Sequence, residues 1–347
     1  MPPSPAPPSP PPTPRDPADA ALRRLVAARP ADVVTGMLLR DLTTLRIGGP
    51  AAVVCRVRTP DDARRFLEFA AGHDLPAVAL GGGSNVLAVD EGFRGCVLHL
   101  DAGDFTVRGD TVTAGAGLPF DTLVARALDA GLTGLEFASG LPGSVGGAIV
   151  GNAGCFGHEI GEFLVEATVL DADGRLETVG PERFAFGYRR SALQGGGALV
   201  LAVRLRLVRG DPAAAQGERF ERLAERRRKH PTVEPCAGSW FRNLPPATPG
   251  GRRRAAGELL DAIGAKTMHE GDAAVFPGHA NIIINRGAAT AAQVRTLVER
   301  MREAVRARFG LTLAEEVRTL GADGFAAPAP ADPDATAPSP PASGSGC

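Results

Sequence analysis

The sequence predicts an α+β fold with more than one domain. Three observations carry that expectation. Segments with strand character come in groups, not in strict alternation with helices. Helical stretches with recognisable start signals separate those groups. The chain, at 347 residues, is long enough for two or three sizeable cores. Its most unusual stretch, Gly134 to Ile160, sets eight glycines among Leu135, Phe137, Leu141, Val145, Ile149 and Val150. Glycine inside an element costs about 0.5–1 kcal/mol relative to Ala, and a flexible linker would lack the apolar residues. The stretch reads either as a tightly turned core segment or as backbone wrapped on a large flat or phosphorylated ligand, with N–H groups as donors.

The Pro/Ser-rich residues 1–17 predict a disordered tail, as does the Ala/Pro/Ser/Gly-rich end from Ala322 to Cys347. Ala18 to Ala28 predicts a helix, with Leu22, Leu25 and Val26 on one face. Gly48-Gly49-Pro50 is a turn and Ala51 to Val57 a strand. Thr59-Pro60-Asp61-Asp62 opens a helix: a cap, a proline at the first position, and acids in the first turn. Ala77 to Leu80 reads as a buried strand running into Gly81-Gly82-Gly83-Ser84-Asn85. A Rossmann fingerprint needs a helix directly after such glycines, whereas VLAVDEGFRGCVLHL reads as strands with a turn at Glu91-Gly92. A phosphate cradle of backbone N–H groups with Ser84 and Asn85 needs no helix.

Strands follow at Val97 to Leu100, Phe105 to Val107 and Thr111 to Ala114, then a helix from Phe120 to Ala130 with Leu123, Val124, Ala127 and Leu128 on one face. Beyond the glycine stretch come strands at Val165 to Leu170, Leu176 to Val179 and Ala198 to Leu207. Gly210 to Gln216 reads as a linker, and Phe220 to Lys229 as a helix ending before Pro231. A short helix from Gly257 to Ile263, a strand from Ala280 to Asn285, a long helix from Ala291 to Phe309 and a last strand from Leu311 to Leu320 complete the chain. The expected division is a tail at 1–17, subdomains at 18–100 and 101–211, a domain at 212–321 and a tail at 322–347.

Composition excludes several classes. A formal net charge of −1 provides no global field for nucleic acid. The five cysteines are odd in number and scattered, without a CxxC or Cys/His cluster. That argues against a structural zinc site or a disulfide framework, and suits a reducing cytoplasm. No metal site is expected. No apolar run reaches the ~18 residues of a membrane span, and the N-terminus lacks a basic start followed by an apolar core, so no secretory signal is read there.

Three polar patches are candidates for chemistry: Phe186-Gly187-Tyr188-Arg189-Arg190-Ser191, Ala237-Gly238-Ser239-Trp240-Phe241-Arg242-Asn243, and Ala314-Glu315-Glu316-Val317-Arg318. An arginine, a serine and a glutamate can supply anion stabilisation, a proton donor and a polar partner. Singly, each has a bland alternative: a surface ion pair, a turn residue, and an edge strand with a solvated face. His230 and His279 read as turn residues. The runs Arg226–Lys229 and Arg252–Arg254 read as solvated faces, although a diphosphate is a partner that one of them could meet.

LRIGG (Leu45–Gly49), LGGGSN (Leu80–Asn85), GLEFASGLPGSVGGA (Gly134–Ala148), NAGCFG (Asn152–Gly157), FGYRRS, AGSWFRN and HANIIIN (His279–Asn285) stand in an order and spacing that resembles the UDP-N-acetylenolpyruvoylglucosamine reductases, in their shorter, type II form. The resemblance runs from about Arg40 to Gly321. It implies a two-part FAD-binding region of the PCMH/vanillyl-alcohol-oxidase type followed by a C-terminal α+β substrate-binding domain. It implies an oxidoreductase of peptidoglycan precursor synthesis, acting in the cytoplasm. NADPH would reduce the flavin, which would pass hydride to the enolpyruvyl group of a UDP-N-acetylglucosamine derivative, giving UDP-N-acetylmuramate.

By motif position the resemblance implies catalytic roles for Arg189, which stabilises charge spreading into the substrate carboxylate, for Ser239, which protonates carbon, and for Glu316. It implies that Gly81, Gly82, Gly83, Ser84, Asn85, Gly140, Gly143, Ser144, Gly146, Gly147, Asn152 and Gly154 contact FAD, and that Tyr188, Lys229 and Asn243 contact the sugar nucleotide. A monomer is expected. This chain differs from the family pattern at Leu45, Trp240 and Cys155-Phe156, and in placing two acids together at Glu315-Glu316. The alternative is another flavoprotein of the same fold, an oxidase of small alcohols or sugars, in which AGSWFRN and HANIIIN would have no purpose. A non-catalytic nucleotide-binding protein is the third reading.

Overall fold

Two sheets from residues 33–206 share one core, and a third sheet from residues 236–285 packs a second core. The computed structural model describes residues 23–27, 32–246, 248 and 251–327. The expected tail at 1–17 lies outside them, and of the expected Ala18–Ala28 helix only 23–27 is described, as helix.

The first sheet orders Val33–Thr35, Ala51–Val57, Phe93–Leu100 and Ala77–Leu80, with the last three parallel. Strands covered on both sides carry apolar residues on both faces. Val53, Cys55 and Val57 face one cluster with Cys96, Leu98 and Leu100, while Ala51 and Val54 face another with Phe93 and Val97. Helix Pro60–Ala71 covers the first of these faces with Ala63, Phe66 and Ala70. It starts where its sequence signals placed it: the Thr59 hydroxyl accepts from the Asp62 N–H at 3.1 Å, and the Asp62 carboxylate accepts in return from the Thr59 N–H at 3.1 Å.

The second sheet is antiparallel, in the order Leu176–Val179, Leu164–Asp171, Ala198–Arg206, Thr111–Gly115, Phe105–Arg108. Helix Phe120–Asp129 buries Leu123, Val124, Ala127 and Leu128 in the same core. The third sheet orders Cys236–Ser239, Ile282–Asn285, Ala273–Val275 and His269–Glu270. Helix Ala291–Phe309 covers it with Val294, Leu297, Val298, Met301 and Val305, between a Thr290–Gln293 capping box and left-handed Gly310 (φ +68°). Strand Arg318–Gly321 leaves this region to pair in parallel with Val86–Ala88, then returns as Gly324–Phe325.

Several expectations are corrected. The stretch read as a linker is helix: Asp211 accepts from the Ala213 N–H at 2.9 Å, Pro212 takes the first position, and the helix runs Pro212–Lys229. The last strand is only Arg318–Gly321, because the backbone before it bonds to a different segment: Arg242 N–H to Ala314 O at 2.9 Å and Glu316 N–H to Trp240 O at 2.8 Å. The strand within HANIIIN begins two residues later than expected, at Ile282. Ala77–Leu80 is not buried throughout, since Ala77 and Ala79 are exposed on a face that lines the cavity described below. Residues 322–327, read as part of a tail, include the hairpin return; the remainder of that tail lies outside the described residues. The glycine stretch contains a helix, Val145–Gly151, that glycine content disguised.

Leu297 is fully buried in the second core. We expect Leu297→Ala to lower the unfolding free energy by about 2–5 kcal/mol in denaturant titration. Val208→Ala, at a side chain 67 % exposed, should change it by less than about 0.5 kcal/mol.

Candidate active site

A cavity of about 1740 Å³ opens between the three sheets. Its wall begins where two glycine segments meet. A Cβ at Gly82 would lie 2.8 Å from Gly143 Cα, and one at Gly81 would lie 2.0 Å from Ser144 Oγ. Gly83 is left-handed (φ +59°), with Leu42 O where its Cβ would stand. Ser84 Oγ donates to Pro142 O at 3.2 Å, and Ser144 caps the following helix by accepting from Gly147 N–H at 3.4 Å. The segments 81–85 and 143–147 therefore present closely apposed backbone to the cavity.

The three polar patches converge on the same cavity: Arg189, Ser239 and Glu316 all line it. Arg189 Nε lies 3.1 Å from Glu316 Oε1, with the two side chains only 22 % and 21 % exposed. An Arg189 Nη2 hydrogen bond to Gly154 O, 2.5 Å long, fixes the guanidinium from the other side. Arg189 has φ +53°, unusual for a non-glycine residue. It is held there by the reciprocal Gly187–Arg190 backbone bonds and by Gln194 Nε2 donating to Arg189 O at 3.1 Å. Burial disfavours its charge, but Glu316, Tyr188 and Glu159 outweigh this and keep it firmly cationic. Burial pushes Glu316 above the ordinary carboxylate range, against the pull of Arg189 and Arg242.

The adjacent acids part company. Glu315 accepts from the buried Trp240 indole N–H at 3.2 Å and from Arg302 Nη2 at 2.5 Å. Its neighbour Glu316 is left facing the cavity, its carbonyl accepting from Asn85 Nδ2 at 3.1 Å. Asn281 works similarly behind Ser239. Its side chain bonds both the N–H and the C=O of Phe241, at 2.9 and 2.8 Å, and its carbonyl accepts from Trp240 N–H. Asn285 Nδ2 donates to Leu45 O at 3.2 Å. The HANIIIN motif is thus a scaffold for AGSWFRN.

Among the other expected residues, Gly140, Gly147, Gly154, Tyr188 and Asn243 line the cavity. Gly154 has a structural reason as well, since its Cβ would lie 2.3 Å from His158 O, and Gly146 packs on Ala116. Asn152 does not line it. Only 1 % exposed, it spends its amide on Gly187 O (3.0 Å), Gly161 N–H (3.1 Å) and Glu159, which secures the Arg189 loop. Lys229 does not line it either: its side chain is 60 % exposed and paired with Glu225 one turn back, at 2.6 Å.

The face of that helix which does reach the cavity carries Leu223, Arg226 and Arg227, and His230, just past its end, lines the cavity too. Arg226 Nε is buried with no hydrogen-bond partner among the described residues. The i, i+3, i+4 spacing of Leu223, Arg226 and Arg227 was the signal that could have found it. His230 is pushed down to about 4 by burial, then by Arg226 and His279. A smaller cavity of about 300 Å³ shares Tyr188 and Asn243 and adds Arg190, Arg242 and Arg253. Tyr188 carries the Arg253 guanidinium 4.0 Å over its ring.

Because the folded chain holds His230 neutral below its ordinary 6.5, the unfolded chain takes up a proton that the folded one refuses as pH falls. Stability contributed by the neutral ring is present above 6.5 and is lost on the way to about 4. We expect the wild type to lose stability over that window relative to His230→Asn, as read by thermal unfolding against pH.

The residues 230–320 match the family model "UDP-N-acetylenolpyruvoylglucosamine reductase, C-terminal domain", and residues 50–180 match "FAD binding domain". UDP-N-acetylenolpyruvoylglucosamine reductase 2 of Symbiobacterium thermophilum is 40 % identical over 301 residues, covering 86 % of this chain and 95 % of its own. The Bacillus subtilis reductase is 34 % identical over 307 residues, covering 87 % and 99 %. The crystal structure of the Thermus caldophilus reductase superposes with a TM-score of 0.69 at 34 % identity, over 82 % of this chain and 97 % of that one. On this sequence and structural likeness, running through both glycine segments and all three polar patches, the chain belongs to the UDP-N-acetylenolpyruvoylglucosamine reductase family.

Proposed function

We propose that this protein reduces the enolpyruvyl group of UDP-N-acetylglucosamine-enolpyruvate to give UDP-N-acetylmuramate, with FAD as cofactor and NADPH as reductant, in peptidoglycan precursor synthesis. The observation that supports it most directly is the convergence of Arg189, Ser239 and Glu316 on one cavity walled by the two glycine segments. The cavity fits a dinucleotide. Gly81–Ser84 and Gly143–Ser144 line it, the exposed Ala77 and Ala79 offer a small-residue wall, and Arg226 Nε and Arg318 Nε are buried cationic donors without partners among the described residues. FAD, when bound, would supply the redox chemistry, the relay of hydride from NADPH to the enolpyruvyl group.

The chain's own residues supply the rest. The Arg189 guanidinium, already pointed and charged, stabilises negative charge spreading into the substrate carboxylate. Glu316 holds that guanidinium in place. The Ser239 hydroxyl delivers a proton to the neighbouring carbon. An alcohol is a weak acid in water, and it serves here because the intermediate is strongly basic and the site partly enclosed. Tyr188 and Asn243, which border both cavities, receive the sugar nucleotide, with Arg190 and Arg242 suited to its diphosphate. Among the described residues no helix is long and apolar enough to cross a membrane. The few, scattered cysteines suit a reducing compartment such as the cytoplasm. The alternative of a small-alcohol or sugar oxidase leaves AGSWFRN and HANIIIN unexplained, and both fall within the matched reductase C-terminal domain.

Purified protein should show flavin absorbance and oxidise NADPH rapidly only when the enolpyruvyl sugar nucleotide is present; a chain that cannot be loaded with FAD would refute the proposal. In stopped-flow measurements, Ser239→Ala should slow enolpyruvyl reduction by about 10²–10⁴-fold while flavin reduction by NADPH stays near wild type. Equal losses in both half-reactions would remove the serine from proton donation.

A further inference from the structure

The matched reductase domain stops at residue 320, yet the chain continues into the cavity wall. After strand Arg318–Gly321 it turns and comes back as Gly324–Phe325, and residues 323–327 line the same cavity as Arg318 and Glu316. The return is tied down by Ala326 N–H donating to Thr319 O at 2.9 Å and by Arg94 N–H donating to Ala322 O at 2.9 Å. A Cβ at Gly324 would stand 4.0 Å from Val78 Cγ1, so the hairpin abuts the partly exposed Ala77–Leu80 strand. Phe325 packs against the cluster of Leu80, Val86, Ala88 and Leu320.

Phe325 also covers Arg318, whose Cζ lies 4.2 Å from the ring centroid. The Arg318 Nε is buried without a hydrogen-bond partner among the described residues, and burial weakens its hold on the proton with no carboxylate to offset it. Arg318 is half-buried, and its covered Nε lacks a partner that a ligand anion could supply. Arg318 N–H donates to Asn85 O at 3.1 Å, which sets the guanidinium's own residue against the end of the Gly81–Asn85 turn. Residues 318 and 316 lie two apart on the same segment and both face the cavity.

We propose that the C-terminal hairpin, residues 318–327, is a dinucleotide-binding element: Phe325 fixes the Arg318 guanidinium beside the glycine turn, where it meets the diphosphate of FAD, and the hairpin backbone closes the cavity along the Ala77–Leu80 strand. This rests on the flavin chemistry proposed above. It assigns a ligand contact to a segment that extends past the matched domain.

The test is equilibrium FAD binding to apoprotein, followed by flavin absorbance after ultrafiltration, together with thermal unfolding of each apoprotein. We expect Phe325→Ala and Arg318→Met each to raise the FAD dissociation constant about tenfold, equivalent to about 1.4 kcal/mol. Phe325→Leu keeps the apolar packing but has no ring face, and should weaken FAD in the same direction with an unchanged apoprotein melting temperature. Wild-type FAD affinity in Arg318→Met and Phe325→Leu overturns the proposal, even if Phe325→Ala fails to fold. So does an unchanged FAD dissociation constant accompanied by a raised KM for NADPH, which would give the hairpin to the other dinucleotide. A wild-type chain that takes up no FAD at all refutes the proposed activity instead.

Discussion

Backbone meets backbone where the turn after the Ala77–Leu80 strand touches the segment before helix Val145–Gly151. No side chain fits between Gly82 and Gly143, and that contact joins the first sheet to the second along the cavity. The polar elements are hung from either side of it. Asn85, at the end of the turn, grips the Glu316 carbonyl with its side chain and accepts from Arg318 N–H with its backbone. Asn152, at the end of the short helix, takes the left-handed conformation (φ +46°) and ties down the loop that carries Arg189. A Cβ at Gly82 would stand 2.8 Å from Gly143 Cα, and one at Gly143 would stand 2.5 Å from Ser84 Oγ on a backbone of φ +108° that favours glycine.

Electrostatics follow from that geometry. Arg189 and Glu316 are each costly to bury alone, and each is tolerable because the other is 3.1 Å away. The left-handed backbone at Arg189 adds a local cost of order 1–3 kcal/mol, met by a surrounding set of hydrogen bonds from Gly187, Arg190 and Gln194. Strain held at a charged residue that points into a cavity fits a group positioned in advance of its ligand. The neighbouring Glu315 illustrates the opposite fate. With Trp240 and Arg302 as partners it is a structural anion, and its anchoring sets which way the next side chain faces.

The sequence by itself determined the elements whose signals are local. Thr59-Pro60-Asp61-Asp62 and Thr290 with Gln293 specify helix starts because a cap needs only residues three apart. The apolar spacing in Ala291–Phe309 specifies its buried face. The motif order was enough to name Arg189, Ser239 and Glu316, which lie far apart in the chain. It also supported Glu316 over Glu315, although without the physical reason, since the Trp240 indole and the Arg302 guanidinium come from residues 75 and 13 positions away.

Only the tertiary structure decided the remainder. Asn152 and Lys229 leave the cavity because their partners, Gly187 O and Glu225, compete for them locally. Arg226 enters because the Pro212–Lys229 helix is rotated to present its 223-226-227 stripe, an orientation that a run of like charges does not encode. Leu311–Val317 is not a continuous strand because its hydrogen-bonding groups are divided between residues 240–242 and Asn85. The hairpin's return, residues 322–327, was hidden in a stretch whose composition suggests a tail. Long-range contacts with Val78 and Arg94 give it a place that local propensity could not.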